Sequence, residues 1–132
     1  MKGFDQRVAV VTGGGSGMGR ELTRQLVREG CNVAICDLSE EGLNQTKRIC
    51  VKDGLEDVLL TMHICDVSVE EDVLRVREEI KLQHNTDKIH LLFNNAGVGG
   101  GTSIVADDRA HWDRVFNTCW GGVYLFTRTF LP

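Results

Sequence analysis

At 132 residues the chain suits a single domain with one core, and 42% apolar against 26% charged residues is a globular, not a disordered, composition. A formal net charge of −4 argues against nucleic acid or an acidic membrane as the main partner. No apolar run approaches transmembrane length, and none near the start suits a signal h-region, so no membrane association is expected.

Arg7–Thr12 is a short β-branched run stopped by glycines and reads as a buried strand. Met18, Leu22 and Leu26 then recur every four residues, predicting a helix of about three turns ended by Gly30. Asn32–Cys36 is a second apolar run, closed by Asp37. Ser39 before two glutamates is a helix N-cap signal, and the helix runs through Leu43 to about Val51. Val58–Ile64 reads as a third strand, ending at Cys65-Asp66. Ser68-Val69-Glu70-Glu71 fits a capping box, with Val73, Val76 and Ile80 on the inner face of the next helix. Ile89–Phe93 is the fourth strand. The glycine-rich segment Gly97–Asp107 is expected to be a mobile loop, and Asp108 to about Phe130 a long helix, weakened by Gly121-Gly122. Strands alternating with helices at this spacing imply an α/β fold: a parallel sheet in three layers, with helices on both faces.

Five cysteines (Cys31, Cys36, Cys50, Cys65 and Cys119) are odd in number, lack a C-x-x-C pair and mostly lie in or beside apolar runs. They read as buried, reduced thiols of a cytoplasmic protein. The histidines have no ligand spacing: His63 and His90 are expected to flank strands, His84 and His111 to lie on polar ground, and no metal site is expected.

Chemistry concentrates at three strand ends. The first carries Thr12-Gly13-x-x-x-Gly17-x-Gly19, with Ser16 and Met18 inside it. Glycines there let the backbone turn sharply and approach a pyrophosphate, whose charge is met by N–H groups of the following helix. The spacing departs from G-x-G-x-x-G, and Arg20-Glu21 after Gly19 excludes a phosphate-transfer P-loop. Taken alone, such a turn serves tight packing equally well. Asp37, eighteen residues past Gly19, can accept both ribose hydroxyls of an adenosine and would repel a 2′-phosphate. No Lys or Arg precedes Gly17 in the loop to offset that repulsion, so NAD is favoured over NADP. A helix N-cap is the plainer role for Asp37, although Ser39 suits it better. Asp66 repeats the arrangement after the third strand, where it could meet an adenine amino group or simply make a turn. Asn94-Asn95-Ala96-Gly97 closes the fourth strand with small residues that admit a flat ring, and also suits an ordinary turn.

Together these residues, with Asp66-Val67 and Trp112-Asp113-Arg114-Val115-Phe116, resemble the short-chain dehydrogenase/reductase family over nearly the whole chain. The resemblance implies a single dinucleotide-binding domain over residues 1–132, Rossmann-like and lacking the C-terminal strands of the full family fold. It implies that Gly13, Gly17 and Gly19 line the pyrophosphate beside Ser16 and Met18, with Asp37 on the adenine ribose and Asp66 and Val67 on the adenine. Asn95, Ala96 and Gly97 would take the nicotinamide-side ribose region, and Thr12 would brace the loop against them. It further implies hydride transfer between the coenzyme and a small alcohol or ketone. The helix from Asp108 resembles one that such enzymes pack between subunits, implying a homo-oligomer.

Two departures stand out. The family's serine and Tyr-x-x-x-Lys follow the segment resembling Val123–Pro132, so no catalytic residue is identifiable and the chain by itself is expected to be inactive. Its only tyrosine, Tyr124, is followed four residues on by Arg128 and reads as packing or subunit contact. Cys119 stands where the family has its active-site asparagine, and reads as a buried structural thiol in preference to a reactive one; Asn117, two helical residues away, would face elsewhere. Two other readings compete: a non-catalytic NAD-binding or subunit-association module, and an S-adenosylmethionine-dependent methyltransferase, which the Thr12-Gly13 spacing and the Asn94–Gly97 turn fit less well.

Overall fold

The computed structural model describes residues 3–54, 57–99 and 103–132. Strand β1 (Val8–Thr12) leads into α1 (Gly17–Arg28), β2 (Asn32–Asp37), α2 (Glu40–Lys52), β3 (Leu60–Ile64), α3 (Glu70–Gln83) and β4 (Leu91–Phe93). A helical column follows: α4 (Arg109–Phe116), a π-helical turn (Asn117–Gly121) and α5 (Gly122–Phe130). The strands make one parallel sheet in the order β3-β2-β1-β4. Hairpins cannot join parallel neighbours, which is why a helix follows each of the first three strands.

Alternation along the strands builds two cores. Ala9, Val11, Val33, Ile35 and Leu60 pack against Leu26 and Val27 of α1 and Leu43 and Cys50 of α2. Val10, Ala34 and Cys36 point the other way, onto Val73, Val76 and Ile80 of α3 and Phe126 of α5. The result is the three-layer arrangement expected from the alternating elements. In register, Val11 stands between Ile35 of β2 and Phe93 of β4, which brings the carboxyl ends of these strands side by side. The chain leaves β1 towards β2 and later returns to its other flank with β4. Such a reversal opens a crevice beyond the carboxyl ends of the strands.

Several local expectations change. Met18 is 82% exposed, and α1 instead buries Gly19, Thr23, Leu26 and Val27. The capping box at Ser68 does not form: Val69 is the N-cap of α3, without a side-chain bond. The Ser68 hydroxyl turns back to donate to Asp66 Oδ1 at 2.6 Å, and the Asp72 carboxylate accepts the Asp66 N–H at 2.8 Å. Ser39 does cap α2, accepting the Gly42 N–H at 3.0 Å. The helix from Asp108 widens into its π turn where α4, with no buried residue, gives way to α5, which buries Gly122 and Phe126. In the segment expected to be a mobile loop, Gly100–Thr102 lie outside the described residues, and the amides of Ala106 and Asp107 both bond the Ser103 carbonyl at 3.0 Å.

Two histidines sit deeper than their sequence neighbours imply. His63 lies within β3, 1% exposed, and His84 is half-buried at the C-cap of α3. Both reach the Thr61 hydroxyl, His63 through Nε2 at 2.9 Å and His84 through Nε2 at 2.7 Å. Glu79 Oε2 lies 2.7 Å from His63 Nδ1, so a carboxylate acceptor assigns the His63 proton to Nδ1. The remaining protons follow in turn: Thr61 donates to His63 and accepts from His84, leaving His84 Nδ1 a buried lone pair without a partner among the described residues. Burial pushes His84 down to about 4, with His63 adding to the shift, and burial lowers His63 despite the opposing Glu79 carboxylate.

Truncating Phe126, which is fully buried between α5 and the sheet, should cost about 3–5 kcal/mol in urea unfolding, because a large side chain leaves a cavity under α5. The histidine pair makes stability depend on pH. At His84 the unfolded chain binds a proton near pH 6.5 that the folded chain refuses until about 4, and His63 is lowered in the same direction, so stability is full above 6.5 and declines as pH falls. Urea midpoints measured from pH 7 to 5 should fall for the wild-type chain and flatten in His84→Gln, whose amide can still donate to Thr61. An unchanged slope in that variant would remove His84 from this account.

Candidate functional site

A crevice of about 590 Å³ opens at the carboxyl ends of the strands. Gly13, Ser16, Gly17 and Met18 line it after β1, and Asp37 after β2. Asp66 and Val67 follow from β3, then Asn95, Ala96 and Gly97 from β4. Thr12 and Gly19, the other two residues singled out from sequence, are buried behind this wall.

The wall is locked from behind. The Thr12 hydroxyl accepts the N–H groups of Asn95 and Ala96 at 3.0 and 2.9 Å, and the Asn95 amide donates to the Thr12 carbonyl at 3.1 Å. Gly19 packs so closely that a Cβ there would stand 2.1 Å from the Gly13 carbonyl oxygen and 2.6 Å from Asn95 Nδ2. Only hydrogen fits, and this contact seats the start of α1 against the β4 turn. At Gly17 the reason is different: its φ is +52°, and a side chain there would meet nothing within 4 Å. The loop bends through a conformation suited to glycine while facing open space.

That open space meets the positive end of a helix. The N-cap of α1, Ser16, makes no side-chain capping bond, and no acidic residue occupies the first turn. First-turn N–H groups have no intrahelical acceptor, so they are available to an anion in the crevice. Asp37 stands at the tip of β2, Oδ2 accepting the Gly15 N–H and Oδ1 the Ser39 N–H, each at 3.0 Å. Each carboxylate oxygen keeps further acceptor capacity. Asp66 is committed to its own turn through Ser68, as an ordinary turn aspartate would be, while remaining on the crevice lining.

The crevice also takes in Arg114, from the Trp112–Phe116 motif, with Thr118 and with Asn117, which was expected to face elsewhere and instead lines it. The available signal was the position of this segment in the helix after the Asn-Ala-Gly turn. Asn117 and Thr118 open the π turn. Cys119 corrects an expectation outright: it is exposed, whereas Cys31, Cys36, Cys50 and Cys65 are buried as free thiols. Its sulfur lies 3.5 Å from the Val98 carbonyl, and its surroundings are Trp112, Phe116 and Trp120 on a separate apolar surface. The cause is the same helix geometry: α4 and the π turn bury nothing, so position 119 has no core to enter. Tyr124 lies outside the crevice lining, its hydroxyl accepting from Arg128 at 3.2 Å.

Comparison with known proteins places this geometry. The family model for short chain dehydrogenase matches residues 7–132. Short chain aldehyde dehydrogenase 1 of Euphorbia lathyris is 35% identical over 126 residues, covering 94% of this chain and 42% of that protein. A short-chain dehydrogenase/reductase from Burkholderia phymatum, solved in complex with NAD, has a TM-score of 0.91 at 32% identity over 100% of this chain and 45% of its own. A metagenomic short-chain oxidoreductase, solved in complex with NADP, has a TM-score of 0.87 at 29% identity over 98% of this chain and 57% of its own. The chain thus spans about half the length of the curated relatives it matches. No helix among the described residues is long and apolar enough to cross a membrane. With its parallel sheet, its glycine turn and its Asn-Ala-Gly turn all in the matched span, the chain belongs to the short-chain dehydrogenase family.

Proposed function

We propose that this chain carries the coenzyme half of an oxidoreductase that moves hydride between NAD and a small alcohol or ketone. The observation that supports it is the meeting of the α1 N-terminus, Asp37 and the Asn95–Gly97 turn along one crevice. A nicotinamide dinucleotide, when bound, supplies the hydride acceptor or donor for a carbon bearing oxygen. The residues present fit such a group. Gly13, Ser16, Gly17, Met18 and Gly19 would form the pyrophosphate wall, Asp37 would accept the adenine ribose hydroxyls, and Asp66 and Val67 would flank the adenine. Asn95, Ala96 and Gly97 would hold the ribose on the nicotinamide side.

These side chains bind and orient. Proton exchange with a substrate oxygen needs a positioned acid/base group, and among the described residues the crevice lining offers no tyrosine, histidine or lysine. The isolated chain should therefore bind coenzyme while turning over poorly or not at all. Relatives of this fold bind NAD in one case and NADP in another, so the preference proposed here depends on the charge at the tip of β2. Two charges about 4 Å apart near a protein surface repel by roughly 4 kcal/mol, enough to disfavour a 2′-phosphate beside Asp37.

A homo-oligomer built on the α4–α5 column is part of the proposal. Trp112, Phe116, Trp120 and Tyr124 recur every four residues and are all exposed, an apolar stripe of the kind that marks an interface.

Two measurements test the reading. Calorimetric titration of the chain should give tighter binding of NAD than of NADP, and Asp37→Ala should narrow that preference by about tenfold or more. An unchanged ratio would leave Asp37 without the role assigned to it. Sedimentation velocity should detect a dimer or larger assembly that Trp120→Asp dissociates, and a monomeric wild-type chain would count against the interface.

A further inference from the structure

Gly15 connects two charged side chains across the glycine loop. Its N–H donates to Asp37 Oδ2 at 3.0 Å, and its carbonyl accepts a hydrogen bond from the Arg20 guanidinium. The contact with Asp37 is so close that a Cβ on Gly15 would stand 2.8 Å from that carboxylate oxygen. Arg20 is fixed in turn by α2: Nε donates to Thr46 Oγ1 at 3.0 Å, and Nη2 to Gln45 Oε1 at 3.1 Å and to the Gly42 carbonyl at 3.4 Å. Thr46 is fully buried, and its hydroxyl donates to the Gly14 carbonyl at 2.7 Å. The carbonyls of two successive loop residues are thus tied to α2, one through Thr46 and one through Arg20.

All four Arg20 hydrogen bonds run to neutral acceptors, so the guanidinium is used as a fork of donors and not as half of an ion pair. Neither Arg20 nor Thr46 lines the crevice. We propose that they are positioning residues for coenzyme choice: they hold Gly14 and Gly15 where the Gly15 N–H aims the Asp37 carboxylate at the adenine ribose. The proposal rests on the reading of Asp37 given above. Without the tie to α2 the loop shifts, Gly15 no longer seats Oδ2, and the carboxylate, left on the Ser39 N–H alone, is free to turn away from the ribose. NAD then loses its ribose acceptor while NADP is relieved of repulsion, so the two affinities converge. A merely structural role would weaken both coenzymes by the same factor.

Calorimetric titration of the chain with NAD and with NADP separates these cases across four variants, with circular dichroism confirming that each is folded. Arg20→Lys keeps the charge but loses the fork, and Thr46→Val removes only the hydroxyl. Each should lower the NAD preference by about three- to tenfold, while Thr46→Ser, which restores the hydroxyl, keeps it. In an Asp37→Ala background, Arg20→Lys should cause no further change in the ratio. Equal weakening of both coenzymes by Arg20→Lys, or a ratio unmoved by it, overturns the inference, and this variant decides should Thr46→Val fail to fold. If Asp37→Ala narrows the ratio but Arg20→Lys does not, the inference alone falls. If Asp37→Ala leaves the ratio unchanged, or the wild-type chain binds neither coenzyme, both readings fall.

Discussion

Thr12 is the last residue of β1, and its buried hydroxyl is the joint between the two loops that make the crevice. It accepts two backbone N–H groups from the β4 turn and lies 3.4 Å from the Phe93 carbonyl, to which it can donate. That uses the full capacity of a hydroxyl, one proton and two lone pairs. Valine would fill similar space and leave two part-buried N–H groups without an acceptor, at a cost of about 1–3 kcal/mol for each such group. With the joint made, the Asn95 amide can reach the Thr12 and Gly13 carbonyls, and Gly19 can close against both. The inner face of the glycine loop is then saturated by protein, while the first turn of α1 keeps its N–H groups directed outward. The same loop is satisfied on one side and unsatisfied on the other, which is the arrangement the proposed pyrophosphate would need.

Behind this arrangement stands a sheet buried on both faces. The cysteines illustrate what that burial does to chemistry. Cys31 and Cys65 are pushed up to about 11 and about 12 by burial, so they stay protonated and serve as small apolar side chains. Cys119 is chemically the same residue in a different place. It rides on a helical column whose first two segments bury nothing, and its thiol is open to solvent. Burial, and not residue type, separates the inert thiols from the accessible one.

Coenzyme choice is a more local matter than coenzyme binding. Structures with this fold hold NAD or NADP, so the sheet, the crevice and the glycine turn are compatible with either. The preference proposed for this chain rests on a few residues at the β2 tip. There a carboxylate is fixed by two backbone donors, and one of those donors belongs to a loop anchored on α2. On the proposed reading the tether adds to the charge at position 37, because a tethered carboxylate would lose less freedom on meeting a ribose than a free one.

Periodicity carries most of what the sequence by itself determined. Short apolar runs located the strands and repeats of four the first helix, and glycines, Ser39 and Asp108 marked where several elements begin or end. Residues bracketing each strand end made the coenzyme motifs legible, since a parallel sheet brings those ends to one edge regardless of what lies between. Contacts between side chains far apart in sequence obey no such period, and only the tertiary structure decided them. Ser68 is drawn to Asp66 instead of capping α3, His84 is covered by β3 across 23 residues to reach Thr61, and Arg20 finds Gln45 and Thr46 on another helix. The π turn belongs with these, because it forms where an exposed helix must give way to a buried one. Local patterns state which face of an element is apolar; which polar partner waits on the neighbouring element depends on how the elements pack.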